Sequence, residues 1–203
     1  MNTNFLNSVT NFLKKRTFEF IGLILISTSI GLAIAFTTYS PEDPSFVYGD
    51  RDFEIKNFFG IYGSSIADFL LQSFGLVSFL ILINFLFWGI NLMIQKEIKR
   101  ITLKLFLVVL YLVLGTIFIY ITFNNSFWLI DNGNSGFVGK IGYEFLSTWF
   151  PYIDNTYSAY GLLLLTLIFF IFSADLNIKK IITGTFSIIA SLFRRKENTI
   201  PDI

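Results

Sequence analysis

The chain has 203 residues, of which 54% are hydrophobic and only 14% charged, and its net charge is +1. Charged residues run at about half the ~25% usual in a soluble domain, so the composition is that of a membrane protein and a water-soluble globule is excluded. Histidine and cysteine are both absent, which removes Ser-His triads, thiol nucleophiles, disulfides and the commonest metal-ligand sets.

In chain order, Phe5, Leu6, Val9, Phe12 and Leu13 precede Lys14, Lys15 and Arg16. That pattern predicts a short amphipathic helix over residues 1–17, with the three cations at lipid headgroups. Residues 18–39 form the first predicted span, long enough to cross ~30 Å of hydrocarbon at 1.5 Å per residue. It lacks a small-x-small cleavage site, so it does not read as a removed signal. It must stop at Ser40-Pro41-Glu42-Asp43-Pro44-Ser45, because each proline turns the preceding residue away from helical backbone. Asp43 and Glu42 either meet a partner there or cap the next turn.

The following loop, 40–72, is too long to be structureless in a compact bundle. Asn57 to Leu71 is apolar on a helical period and runs straight into the second span, 73–94. One straight helix from Ile61 to Ile94 would be about 50 Å long, which predicts a break or strong tilt near Gly75. Asp68 sits at the mouth of that span, where a carboxylate needs water or a donor. It is the leading candidate for an interaction or packing residue.

A third span covers 104–123. In the loop 124–156, Gly133, Gly136, Gly139 and Gly142 recur every three residues before Phe145, Leu146, Trp149 and Phe150. Such spacing gives either a shallow ridge on a helix face or a hinge. Gly60-x-x-Gly63 with Phe74-Gly75-Leu76 is echoed by Gly139-x-x-Gly142 with Tyr160-Gly161-Leu162, so each half reads as span, surface helix, span. The fourth span covers 157–175. Beyond it, Ile178, Ile181, Ile182, Thr185, Ile189, Leu192 and Phe193 alternate at helical spacing with Lys179, Lys180, Arg194, Arg195 and Lys196. Residues 176–197 therefore read as a basic amphipathic helix lying on lipid headgroups, and 198–203 as the start of a linker.

The fold class is an all-α integral membrane protein with four transmembrane helices and additional interfacial helices. Orientation follows from Lys and Arg. Twelve lie in the N-terminal flank, the middle loop (Lys96, Lys99, Arg100, Lys104) and the tail, against three, Arg51, Lys56 and Lys140, in the other two loops. The positive-inside rule then places both termini in the cytoplasm and the two long loops outside. Ser27, Thr28, Ser29, Asn84 and Asn91 suit hydrogen bonds between helices, and Trp88, Trp128, Trp149, Tyr39 and Tyr157 suit interface anchoring. No span carries an ionisable residue in its centre, as a proton or ion path would need, and no Walker A loop occurs. Catalytic residues, cofactors, bound metals and direct nucleic-acid contacts are not expected.

The combination Tyr39-Ser40-Pro41-x-Asp43-Pro44-Ser45-Phe46, then Asn57-x-x-Gly60-x-x-Gly63-x-x-x-Ala67-Asp68 with Phe74-Gly75, then the glycine series ending in Gly139 and Gly142, resembles the N-terminal four-helix membrane domain of the FtsK/SpoIIIE DNA translocases. The resemblance implies a membrane anchor and septum-targeting module of a bacterial cell-division DNA translocase involved in chromosome segregation. It also implies a homo-hexamer in the inner membrane at the division septum, in contact with other division proteins. Family members continue into an ATPase motor and a DNA-reading domain, so this sequence reads either as the front part of such a protein or as a stand-alone membrane module that works with a separate motor, and not as an enzyme itself. Two other classes stand beside that reading: a small transporter or channel subunit, and an interfacial enzyme using carboxylates such as Asp68 or Glu144.

Overall fold

The computed structural model describes residues 3–46, 54–95 and 97–176, together with residue 183. Every regular element among them is helical: α1 (Thr3–Thr37), α2 (Gly60–Phe74), a single 3-10 turn (Gly75–Val77), α3 (Ser78–Gln95), α4 (Ile101–Phe123), α5 (Gly136–Trp149) and α6 (Thr156–Ala174). Four stretches are long and apolar enough to cross a membrane: Asn7–Thr37, Gly60–Ile94, Ile101–Phe123 and Thr156–Ala174. The protein is thus an all-α, four-span membrane protein in contact with the lipid bilayer. Phe20, Leu23, Ile24, Phe106, Val109, Leu164 and Phe172 stay exposed on the bundle surface, where hydrocarbon is their solvent.

The N-terminal amphipathic stretch is not a helix of its own. α1 runs unbroken from Thr3 through the first span, because residues 3–20 contain neither proline nor glycine to interrupt it. Lys14 to Arg16 lie about 21 to 23 residues before Thr37, roughly 32–35 Å along the axis. That distance sets the cations at the opposite edge of the hydrocarbon. Arg16 pairs with Glu19 at 2.6 Å, and the Lys14 ammonium lies 5.8 Å from the Phe18 ring centre. The basic helix expected over 176–197, with Lys179, Lys180, Arg194, Arg195 and Lys196, falls outside the described residues apart from 176 and 183.

The two halves repeat one another in order, α1-α2-α3 and then α4-α5-α6. α1 and α3 meet backbone to backbone: a Cβ added to Gly22 would lie 2.7 Å from the Gly89 carbonyl oxygen, and one on Gly89 would lie 2.7 Å from that of Gly22. Ser29 Oγ adds a hydrogen bond to Leu82 O at 2.8 Å across the same seam. α4 and α6 keep more distance, with Gly115 facing the Thr166 methyl.

The break expected near Gly75 is present. It has φ +54, and a Cβ there would fall 1.9 Å from the Asn134 carbonyl oxygen. The chain can bend at this point only because glycine lets the second loop rest its backbone on the kink, where Leu76 N donates to Asn134 O at 2.8 Å. The glycine series resolves into a turn and a ridge. Gly133 and Gly136 have positive φ, and Gly139 and Gly142 bring α5 against Thr116 and Ile117 of α4.

The internal repeat holds in another register. α2 opens at Gly60 (φ +61) and α5 at Gly136 (φ +66). Gly60 N donates to Asn57 O at 2.9 Å, and Gly136 N to Gly133 O at 3.3 Å, closing the same turn. Gly63 and Gly139, three residues on, each back onto the residues that precede their helix, Asn57 and Phe59 in one case and Ser135 in the other. Gly60 and Gly63 therefore correspond to Gly136 and Gly139, not to Gly139 and Gly142. Gly161, matched by sequence to Gly75, sits inside α6 with open space around its Cβ position. It makes no kink.

Candidate functional site: a polar cleft at the Pro41 end

The exit of α1 is held by side chains that arrive from far along the chain. Asp43 N donates to Ser40 O at 3.1 Å and closes the turn around Pro41. The Asp43 carboxylate is 8% exposed and accepts from Lys56 N at 3.0 Å and Asn57 N at 2.8 Å. Asn57 Nδ2 in turn donates to Ala35 O at 2.9 Å, one of the carbonyls that the end of a helix leaves without a partner. Ser64 Oγ donates to Pro44 O at 2.6 Å. Gly63 is required here, since a Cβ would lie 2.2 Å from Asn57 Oδ1. The proline turn and the glycine block are thus two sides of one clamp, and Asp43 caps the approach to α2.

Asp68 ends a directed chain of hydrogen bonds. Asn132 Nδ2 donates to Gln72 Oε1 at 2.8 Å, Gln72 Nε2 to Tyr39 Oη at 3.2 Å, and Tyr39 Oη to Asp68 Oδ1 at 2.9 Å. All dipoles point at the carboxylate, so each bond strengthens the next. Trp128 Nε1 reaches Tyr39 O at 3.4 Å, and the two rings meet edge to face at 5.6 Å. Tyr39 is 7% exposed and serves as an internal tie, not an interface anchor. Trp88 is likewise buried and donates to Ser173 O at 2.7 Å.

Between these groups opens a cleft of about 610 Å³ whose wall includes Pro41, Asp43, Ser45, Ser65, Asp68 and Asp131. The structure therefore gathers Pro41, Asp43, Ser45 and Asp68 at one place, with Ser40, Pro44, Gly60 and Gly63 shaping the turns beside them. Gly75 lies at the kink, and Gly139 and Gly142 serve the α4–α5 contact. Ser65, Gln72, Asp131 and Asn132, which line the same cleft, belong to no sequence motif. Only their position one helical turn from Asp68, or in the second loop, relates them to the site.

Glu42 and Lys56 form an exposed pair at 2.5 Å. The ammonium holds the Glu42 carboxyl below its ordinary range, and the carboxylate holds Lys56 above its own. α2 and α5 flank the cleft with apolar faces turned outward: Ile61, Tyr62, Ile66 and Phe69 on one, Phe137, Ile141, Phe145 and Trp149 on the other, all exposed. Glu144 is exposed on α5.

Residues 14–185 match the family described as the 4TM region of DNA translocase FtsK/SpoIIIE. The chain belongs to this family. Among curated relatives, the DNA translocase FtsK of Azospirillum brasilense is 32% identical over 90 residues, covering 44% of this chain and 14% of that protein. The DNA translocase FtsK of Rickettsia bellii (strain RML369-C) is 32% identical over 127 residues, covering 62% of this chain and 15% of the relative. That of Rickettsia typhi is 35% identical over 86 residues, 41% of this chain and 11% of the relative. The chain thus spans about one seventh of the FtsK relatives it matches. No solved structure matches it significantly. Among the described residues of this membrane region, the cleft is a polar feature that the Pro41 turn, α2 and the second loop build together.

Proposed function

We propose that this chain is the membrane anchor and septum-targeting module of a cell-division DNA translocase that takes part in chromosome segregation. In this reading 18–175 is the membrane domain, the first turns of α1 project from it on the inner side, 176–197 lies on the inner surface, and both termini face the cytoplasm. The protein works as a homo-oligomer in the inner membrane, with the Pro41 end outside and able to meet other division proteins. The motor that moves DNA is supplied by other residues. The observation that carries this is the family match running in one stretch through all four spans. The twelve-to-three split of Lys and Arg supports the orientation.

Two experiments test the two parts. A fluorescent fusion of residues 1–203 is expected to collect at mid-cell, and a uniform membrane distribution overturns autonomous targeting. Because the chain has no cysteine, Glu42→Cys and Glu97→Cys report orientation separately. An impermeant maleimide added to spheroplasts should label the first and not the second. The reverse labelling inverts the topology.

A further inference from the structure

Gly161 is the glycine that the repeat leaves without a task. It makes no kink inside α6, and a Cβ there would meet nothing within 4 Å. It opens instead onto a groove of about 470 Å³ between α4, the end of α5, the link 150–155 and α6, lined by Leu114, Leu146, Phe150, Ile153, Gly161 and Leu165. That is the size of a small-ligand site. None of the described residues on its wall carries a charge. The Ser158 hydroxyl in the wall already donates to Tyr152 O at 2.9 Å. The amides of Phe150 and Ile153 close turns on Leu146 O and Phe150 O at 2.8 and 3.1 Å. A charged or amide-bearing guest would therefore lose its water for a wall that returns no charge.

The groove also has the length and the opening that hydrocarbon needs. Leu165 lies nine residues after Thr156, about 14 Å along α6 and close to the ~15 Å depth of half a bilayer core. The groove thus runs the depth of one leaflet. Phe150 and Leu165 are exposed at its edge and continue onto Leu164, Leu167 and Phe172, a surface whose solvent is already lipid. We propose that this groove holds one acyl chain of a phospholipid from the leaflet where α6 begins, as a bound lipid and not as part of the exchanging bilayer. Gly161 keeps it open, because a larger side chain there would stand where the acyl chain lies. A second copy of the protein fits less well: about one turn of an α-helix, ~10–12 Å across, already takes up that volume. The proposal needs the four-span fold alone, so its failure and a failure of septal targeting are separate results.

The test uses the full chain purified in dodecylmaltoside, where no bilayer surrounds it, and a phosphatidylcholine bearing a mid-chain diazirine. Photolabelling is expected to saturate at about one lipid per chain, on peptides within 146–165. Gly161→Phe should lower it at least about fivefold, and Gly161→Leu, which carries the test where the larger ring prevents folding, at least about threefold. Leu167→Phe, at an exposed position of the same helix outside the groove, should leave it unchanged. Unlabelled phosphatidylethanolamine and phosphatidylglycerol should displace the probe equally, since the wall offers a headgroup no charge. Labelling that does not saturate, labelling of the Gly161 variants equal to the parent, or an equal loss in Leu167→Phe overturns the proposal. A tenfold preference for either headgroup overturns it too, because recognition would then lie outside the groove. Leu165→Cys, in a chain with no other cysteine, tests the remaining occupant. It should stay monomeric on oxidation in native membranes, and a disulfide-linked dimer that blocks labelling assigns the groove to a second copy.

Discussion

The first and second halves of the molecule have the same order of elements and open their surface helices by the same glycine turn, but they close differently. In the first half α2 passes into α3 through a kink of three residues, and α1 and α3 touch at their backbones. In the second half, Phe150 to Asn155 separate α5 from α6. Asn155 starts α6 afresh by accepting from Tyr157 N at 3.1 Å, an ordinary N-cap. The exits differ too. A charged group, Asp43, clamps the end of α1, while neutral amides clamp the end of α4: Asn134 Nδ2 donates to Phe123 O and Asn125 O, and Ser135 Oγ to Asn124 Oδ1, all at 2.8 Å. The halves meet at several places: the second loop's backbone sits on the first half's kink, Trp88 donates to Ser173 O, Asn84 to Tyr111 Oη, and Asn132 to Gln72 Oε1. The shared plan thus differs most in the link between surface helix and span, a 3-10 turn at Gly75–Val77 in the first half and the stretch 150–155 in the second.

The sharpest way to break this comparison is at its two unequal glycines. Gly75→Ala adds a Cβ 1.9 Å from a backbone oxygen at a positive φ. Neither partner is a flexible side chain, so a loss of roughly 4 kcal/mol or more is expected, at the exceptional end for one substitution. Gly161→Ala meets nothing within 4 Å inside a helix and should be neutral or stabilising by up to about 1 kcal/mol. Thermal unfolding in detergent micelles separates them. Comparable destabilisation of both would return Gly161 to the role of a second kink.

The next contrast lies between the two clamps. Asp43→Ala removes a buried carboxylate that accepts two N–H bonds, worth about 1.5–3 kcal/mol each for a charged acceptor. Asn124→Ala removes a neutral acceptor and should cost about 1–2 kcal/mol. Asp43→Asn falls between them. Equal losses for the two alanine variants would mean that charge adds nothing to the first exit.

Much of this architecture is legible in the sequence, because spans and surface helices are set by length and periodicity, which are local. The kink followed from arithmetic alone, an apolar run about 50 Å long facing ~30 Å of hydrocarbon. The long-range capping was not legible. Trp88 donates to Ser173 O, and Asn57 to Ala35 O, each serving a carbonyl in the last turn of a helix. Capping rules look a few residues either way, whereas these partners lie 85 and 22 residues apart. Tyr39 and Trp88 therefore read as interface anchors, whereas in the fold both donate hydrogen bonds inside the bundle. The repeat register slipped for a related reason. Glycines at 133, 136, 139 and 142 offer three equally spaced pairs to match Gly60-x-x-Gly63, and only the positive φ shared by Gly60 and Gly136, where each opens its helix, chooses among them. The cleft was half visible: its motif residues stood out as a pattern, while Ser65 and Asp131 are ordinary residues that only the packing of α2 against the second loop brings together.

The smallest effects concern the exposed pairs, and here the halves should respond at opposite ends of the pH scale. Glu42 is held below its usual range by Lys56, first through their hydrogen bond and then through charge attraction. Its contribution is present above the unfolded value near ~4.3 and is lost as the pH falls through the lower folded value. In the second half Tyr143 Oη donates to Asp154 Oδ2 at 3.0 Å. That hydrogen bond is the main reason its phenol is held above the usual range. Its contribution is present below ~10 and is lost as the pH rises through the higher folded value. Glu42→Gln should thus differ from the parent at neutral pH and converge with it in acid. Tyr143→Phe should converge with the parent in alkali. Both differences are expected to shrink in high salt or to be small throughout, since these groups are open to solvent. Melting temperatures of the three proteins across pH 3 to 11 decide it. A Glu42→Gln difference that persists in acid would show that Lys56 is held by something other than the Glu42 charge. The exit of α1 would then be less dependent on charge than Asp43 and Glu42 together make it.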